Sequence, residues 1–224
     1  MRPSAAVLAT ALLVAPLAGR AQEPEVVPVP PSAPESSSWR ARLDDPAASI
    51  AKVRFTPEDG GARISAGVAA VFWRPADSVS SPFAVRAVFT ELPASSRREG
   101  YGLLVGGRDL AGPDQAYTYF LVRGDGSWLV KRRSGARTED LSGGWQASDA
   151  LHGASEGGAV SNALAVEVTA DSVRCVANGR RLAAYARRPG LAAQGIAGLR
   201  VNHRLEVRVT DFTIERGGGA GSHP

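Results

Sequence analysis

Three adjacent acidic pairs, Asp44-Asp45, Glu58-Asp59 and Glu139-Asp140, are the first candidates for acid–base chemistry in this chain. Glycoside hydrolysis needs two carboxylates that enter one cleft together, which a strand achieves with alternating acids. Adjacent residues point to opposite faces of a strand. All three pairs also fall in loop-like segments, so they read as solvated charges and no catalytic residue is assigned. Glu167 and Glu206 sit in strand patterns without an alternating acidic partner and read as outward-facing charges. His152, His203 and His223 are too scattered for a zinc shell, and no metal site is assigned. No cofactor is expected. Calcium held by loop aspartates such as Asp109, Asp114 and Asp140 is the alternative left open, with ordinary loop aspartates the preferred reading. Arg123-Gly124-Asp125 spells an adhesion tripeptide but reads as hairpin chemistry.

The second group of chemically suggestive residues is aromatic and basic: Tyr101, Tyr117, Tyr119, Arg123, Trp128, Lys131 and Arg133. Sugar rings stack their C–H faces on aromatic side chains, and their hydroxyls accept hydrogen bonds from Arg or Lys. Alternation sets Trp128 opposite in facing to Lys131 and Arg133, so the seven cannot share one surface. The ligand-contact candidates are therefore Tyr117, Tyr119, Arg123, Lys131 and Arg133, joined by Trp145 and His152 from the loop that follows. Core packing competes with ligand contact for each tyrosine.

Residues 100–135 must position most of these groups, and they read as three consecutive antiparallel strands. β-Branched and aromatic residues dominate 117–122 and 128–133, and Gly124-Asp125-Gly126 offers the positive φ angles of a tight hairpin. Upstream, 52–56 and 62–70 form a first hairpin around Asp59-Gly60-Gly61, the second strand running on through Phe72. Residues 83–92 alternate Phe83, Val85, Ala87 and Phe89 against Ala84, Arg86, Val88 and Thr90. Residues 136–161 carry few strand signals and read as a long loop with a short helical turn near 147–151. Strands resume at 162–169, 172–177 and 181–187, with Asn178-Gly179 a strong hairpin signal, and close with 195–201 and 204–214. Ten to twelve short strands with almost no helix predict an all-β, two-sheet antiparallel sandwich.

Composition sets the outer bounds. A chain of 224 residues with 44% hydrophobic and 21% charged residues is long enough for one sandwich with its own core. Arg2 followed by the apolar run 5–18 and the small residues Gly19 and Ala21 reads as an export signal, 1–21, too short for a membrane span. Removing Arg2 and Arg20 leaves 24 basic residues against 22 acidic ones, too even a balance for a nucleic-acid partner. Residues 22–38 form a Pro/Ser-rich spacer, 39–216 the folded domain and 217–224 a flexible tail. Cys175 is the only cysteine and reads as a buried structural thiol, so the fold is held by its core, as suits a periplasmic or secreted monomer.

The series FAVRAVFTEL, GYGLLVGGRD, AYTYFLVRGDGSWLVKRR, a Trp145 loop, NALAVEV, an ANGRRLA hairpin, GIAGLRV and a closing VTDFTI resembles the concanavalin A-like lectin/glucanase superfamily. It particularly resembles the bacterial branch of laminin G-like and 3-keto-disaccharide hydrolase-like domains of unknown function. The resemblance implies a jelly roll of two antiparallel sheets, in which the members that bind sugars often use the concave sheet or its rim loops; its motifs describe strands and turns, and specify fold rather than activity. The expectation is a non-catalytic carbohydrate-binding or interaction module, with a glycan or a cell-envelope protein as partner. A hydrolase or lyase acting on a modified glycoside, and a structural interaction domain, are the alternatives.

Overall fold

The computed structural model describes residues 38–217 except 94, 96–97 and 154–157. The expected export signal, most of the spacer and the tail lie outside these residues. Fifteen strands follow in chain order: β1 (Arg40–Leu43), β2 (Val53–Glu58), β3 (Gly61–Ala66), β4 (Ala70–Val79), β5 (Phe83–Glu91), β6 (Tyr101–Arg108), β7 (Ala116–Val122) and β8 (Ser127–Ser134), then β9 (Arg137–Asp140), β10 (Gln146–Ala147), β11 (Val160–Val168), β12 (Ser172–Ala177), β13 (Arg180–Ala186), β14 (Gly195–Val201) and β15 (Leu205–Arg216). They form two antiparallel sheets. One runs β1-β4-β14-β6-β7-β8-β10, with β9 also paired to β8; the other runs β13-β12-β11-β5-β15-β3-β2. This is the two-sheet sandwich that the alternation predicts.

The core lies between the sheets and is built by every second residue. Val85, Ala87 and Phe89 of β5 meet Tyr101, Leu103 and Val105 of β6, while Arg86 and Thr90 face outward. Glu167 and Glu206 do point outward, paired with Arg86 and Arg63. Cys175 is buried in this core, and burial pushes its thiol up to about 12, so the fold keeps it protonated.

Turn chemistry fixes the register. Asn178 (φ 48°) and Gly179 (φ 79°) both take left-handed backbone, as the two-residue β12–β13 hairpin requires. Between β7 and β8 only Gly126 (φ 81°) does so; the Asp125 carboxylate accepts from the Ser127 N–H at 3.0 Å, and Arg123 and Ser127 close a three-residue loop.

Two expectations change. The strand expected to run from 62 through Phe72 stops at Ala66, and the chain crosses to the opposite sheet to begin β4. Ala70, Phe72, Val71 and Trp73 are all buried because both faces of β4 are covered, which makes a crossing look like one continuous apolar run. The long loop of 136–161 contains β9 and β10, both laid on β8. β9 is exposed along its whole length, so no hydrophobic period announces it. The helical turn expected near 147–151 is a single bonded turn, from the Leu151 N–H to the Ser148 carbonyl at 3.2 Å.

Candidate functional site

The outward face of the β1-β4-β14-β6-β7-β8 sheet is itself substantially buried. Val71 and Trp73 of β4, Leu104 of β6 and Tyr117, Tyr119 and Leu121 of β7 form a second apolar cluster there, with Trp145 packed against it. The geometry of one ion pair gives the shape of this face. Asp44 follows β1 and its N–H donates to the carbonyl of Ala69, the residue before β4, yet its carboxylate is 3.4 Å from Nη1 of Arg133 on β8. Five strand spacings separate β1 from β8, roughly 24 Å in a flat sheet, far more than an Asp and an Arg side chain span together. The sheet is therefore bowed, and this face is its concave side.

Arg200 is the centre of the concave face. It stands on β14 between Val71 of β4 and Gly102 of β6, and its side chain is 7% exposed. Its guanidinium grips Asp44 with two bonds, Nη1 to Oδ1 at 3.0 Å and Nη2 to Oδ2 at 2.6 Å, and Nη1 also donates to the Tyr117 hydroxyl at 3.0 Å. The same guanidinium lies 4.7 Å from the centre of the Tyr119 ring. Burial alone would raise the Asp44 pKa, but the Arg200 hydrogen bond and the charges of Arg200, Arg133 and Arg42 outweigh it and hold the carboxyl below its ordinary value. Burial would likewise lower Arg200; Tyr117 and Asp44 reverse that and keep it protonated. Burial pushes Tyr117 up to about 12 against the pull of Arg200, and raises Tyr119 in the same way, so both phenols are neutral.

At the far end, Trp145 stacks on Arg123, whose Cζ is 3.5 Å from the ring centre. Gly100 makes room for it, since a Cβ there would sit 2.7 Å from the indole. Tyr117 and Tyr119 tilt against each other at 5.5 Å, with Arg133 and Lys131 directly beside them on β8. The arrangement combines aromatic rings with guanidinium donors, and four donor atoms on three arginines stay unused: Nε and Nη1 of Arg42, Nε of Arg200 and Nε of Arg123 are buried without a hydrogen-bond partner among the described residues.

Six of the seven candidates from the sequence, Tyr117, Tyr119, Arg123, Lys131, Arg133 and Trp145, share this face. His152 does not: its Nδ1 meets the Ser161 carbonyl at 2.8 Å and its N–H donates to Asn162, which ties it to β11 of the other sheet. Tyr101 and Trp128 turn into the interior.

Arg42 and Arg200 are not among the candidates that the sequence offers. Asp44, which reads from sequence as a solvated loop charge, is instead the anionic centre of the network, because β1 places it two strands from Arg200. The signal available in the sequence was Arg200 itself, a lone charge inside the apolar strand GIAGLRV. Among the described residues no three His, Cys, Asp or Glu side chains stand together as a metal shell. Asp140 spends its carboxylate on the N–H groups of Ser142, Gly143 and Gly144. A separate open groove of about 370 Å³ lies between β9 and β13, lined by Glu139, Tyr185 and Arg188 among others.

No family model and no curated protein sequence matches this chain. Solved structures do. The carbohydrate-binding module CBM66 of Bacillus subtilis superposes with a TM-score of 0.58 at 10% identity, over 80% of this chain and 96% of that one. A Bacillus subtilis protein of unknown function with a galectin-like fold superposes with a TM-score of 0.57 at 12% identity, over 80% and 89%. The chain has a lectin-like sandwich of the galectin and concanavalin A-like kind.

Proposed function

We propose that this protein is a non-catalytic carbohydrate-binding module that takes a glycan on the concave face of the β1-β4-β14-β6-β7-β8 sheet. The observation that carries the reading is the joint presence there of Tyr119, Trp145 and the cations Arg123, Lys131 and Arg133 on one bowed surface. Aromatic rings stack on sugar C–H faces while guanidinium and ammonium groups donate to ring oxygens and hydroxyls. The likeness in fold to a carbohydrate-binding module supports the class of ligand and leaves the sugar unspecified. Asp44 favours binding over hydrolysis: a general acid needs a raised pKa, and the arginines around this carboxylate lower it. An export signal at 1–21 would place the module in the periplasm or outside the cell, where glycans are exposed.

The test is calorimetric titration of the chain lacking 1–21 with a panel of oligosaccharides, beside Lys131→Met and Trp145→Ala. At least one glycan should bind the parent protein and bind each variant about tenfold or more weakly, the loss of one stacking or charged contact. A ligand that binds all three proteins equally would place the site elsewhere.

A further inference from the structure

Among the described residues, the concave face carries more positive charge than its carboxylates neutralise. Within the network, Arg42, Arg133 and Arg200 share the single carboxylate of Asp44. Arg200 takes both of its oxygens, leaving Arg133 one long contact at 3.4 Å and a bond from Nε to the Gly135 carbonyl at 3.0 Å. Arg42 gets less. It extends from β1 beside Val71, its Nε and Nη1 find no partner among the described residues, and Arg133 is the like charge pressing on it. Asp109 acts on Arg42 from the turn after β6, but its Oδ2 already accepts the Asp114 N–H at 3.1 Å. Counting Asp109 in full still leaves one positive charge over. Lys131, next to Tyr119, adds another at the mouth, facing Asp140, whose oxygens are committed to its own turn.

Guanidiniums gathered beyond their counter-charges and partly withdrawn from water are costly, because each buried charge wants a partner of opposite sign. Cations that repel one another in the empty protein are relieved when an anion enters, and planar donors in a fork match the two oxygens of a carboxylate or sulfate. A neutral sugar would satisfy the hydrogen bonds but leave the charge excess in place. Resting on the glycan reading of this face, we infer that its ligand is an acidic saccharide, whose carboxylate or sulfate ester is received by Arg42 and Arg133 while the ring lies at the rim beside Lys131.

The experiment is titration of the chain lacking 1–21 with uronic-acid oligosaccharides, each beside its methyl ester, and with sulfated oligosaccharides, each beside its desulfated form. An acidic probe should bind about tenfold to a hundredfold tighter than its neutral counterpart, the span expected of one charge-assisted contact, and the difference should shrink as salt is raised. The series that shows the effect identifies carboxylate or sulfate as the group read. Arg42→Met keeps the aliphatic stem and removes the repelled charge, so it should hold or raise the melting temperature while cutting the acidic preference to within about threefold. Lys131→Met, on the half-exposed rim, should reduce the preference with no loss of stability. Equal affinity for acid and ester would overturn the inference and leave the glycan reading standing. Binding of none of the probes, charged or neutral, would overturn both. An unfolded Arg42→Met protein would show that Arg42 is a structural residue, unless Lys131→Met still weakens the acidic probe selectively.

Discussion

Asp44→Ala removes the carboxylate that Arg200 grips and leaves a guanidinium whose side chain is 7% exposed with no other ion-pair partner among the described residues. Breaking a buried ion pair from one side costs about 3–5 kcal/mol. The Asp44 side chain is 25% exposed, so water screens part of the interaction and the low end, about 3 kcal/mol, is the reasonable expectation. For a domain of this size that corresponds to a fall of roughly 6–12 °C in melting temperature. The pH dependence supplies an independent check. Arg200 lowers the folded pKa of Asp44 below its ordinary 3.8, so the stabilisation is present above that value and is lost as pH falls through the folded pKa. The gap between wild type and Asp44→Ala should be full at pH 7 and narrow once the pH drops below about 4. Urea unfolding followed by circular dichroism from pH 7 to pH 2 measures both. The double variant Asp44→Leu/Arg200→Met, which removes both charges together, should recover most of the loss. A cost under about 1 kcal/mol, or a gap that does not change with pH, would refute the claim that this pair is buried and ionic.

Further outcomes follow from other parts of the sandwich. Cys175, whose thiol burial pushes up to about 12, should resist a thiol-reactive chromogenic disulfide in the native protein and react fully in denaturant; rapid native labelling would contradict its place in the core. In an absorbance titration of the phenols, Tyr117 should ionise near pH 12 and the late step should shrink in Tyr117→Phe. Because the fold favours the neutral phenol, this contribution to stability is complete below pH 10 and is lost as pH rises toward 12. Asn162, fully buried, bonds the His152 backbone on both sides and the Asn178 amide, so Asn162→Ala should cost about 2–3 kcal/mol in urea unfolding, and a neutral result would show that the loop before β11 is not anchored there.

What the sequence reveals of this architecture depends on how local the cause is. Asn178-Gly179 dictates its own hairpin through backbone sterics, and the two-residue period places Tyr117 and Tyr119 on one face with Lys131 and Arg133 once the β7–β8 turn is known. The same period does not say which face looks inward, because both faces of this sheet are largely covered; Tyr101 enters the sandwich core and Tyr117 the concave cluster, though both are fully buried. β9 and β10 form because β8 offers an unpaired edge, and the exposed run RTED has no pattern of its own to announce them. Asp44 and Arg200 are 156 positions apart and meet only because β4 lies between β1 and β14, an order that no local feature encodes. An acidic pair in a turn-rich stretch is indistinguishable from a solvated one until that strand order is known.

The most direct test of the concave face as the binding site is a map of backbone amide shifts in isotope-labelled protein as a bound oligosaccharide is added. Perturbations should concentrate on Arg200 of β14, residues 117–123 and 129–133 of β7 and β8, and Trp145 with its indole N–H. Shifts confined to the outer faces of β5, β11 and β15, or to the groove of Glu139, Tyr185 and Arg188, would place the ligand elsewhere and contradict the account.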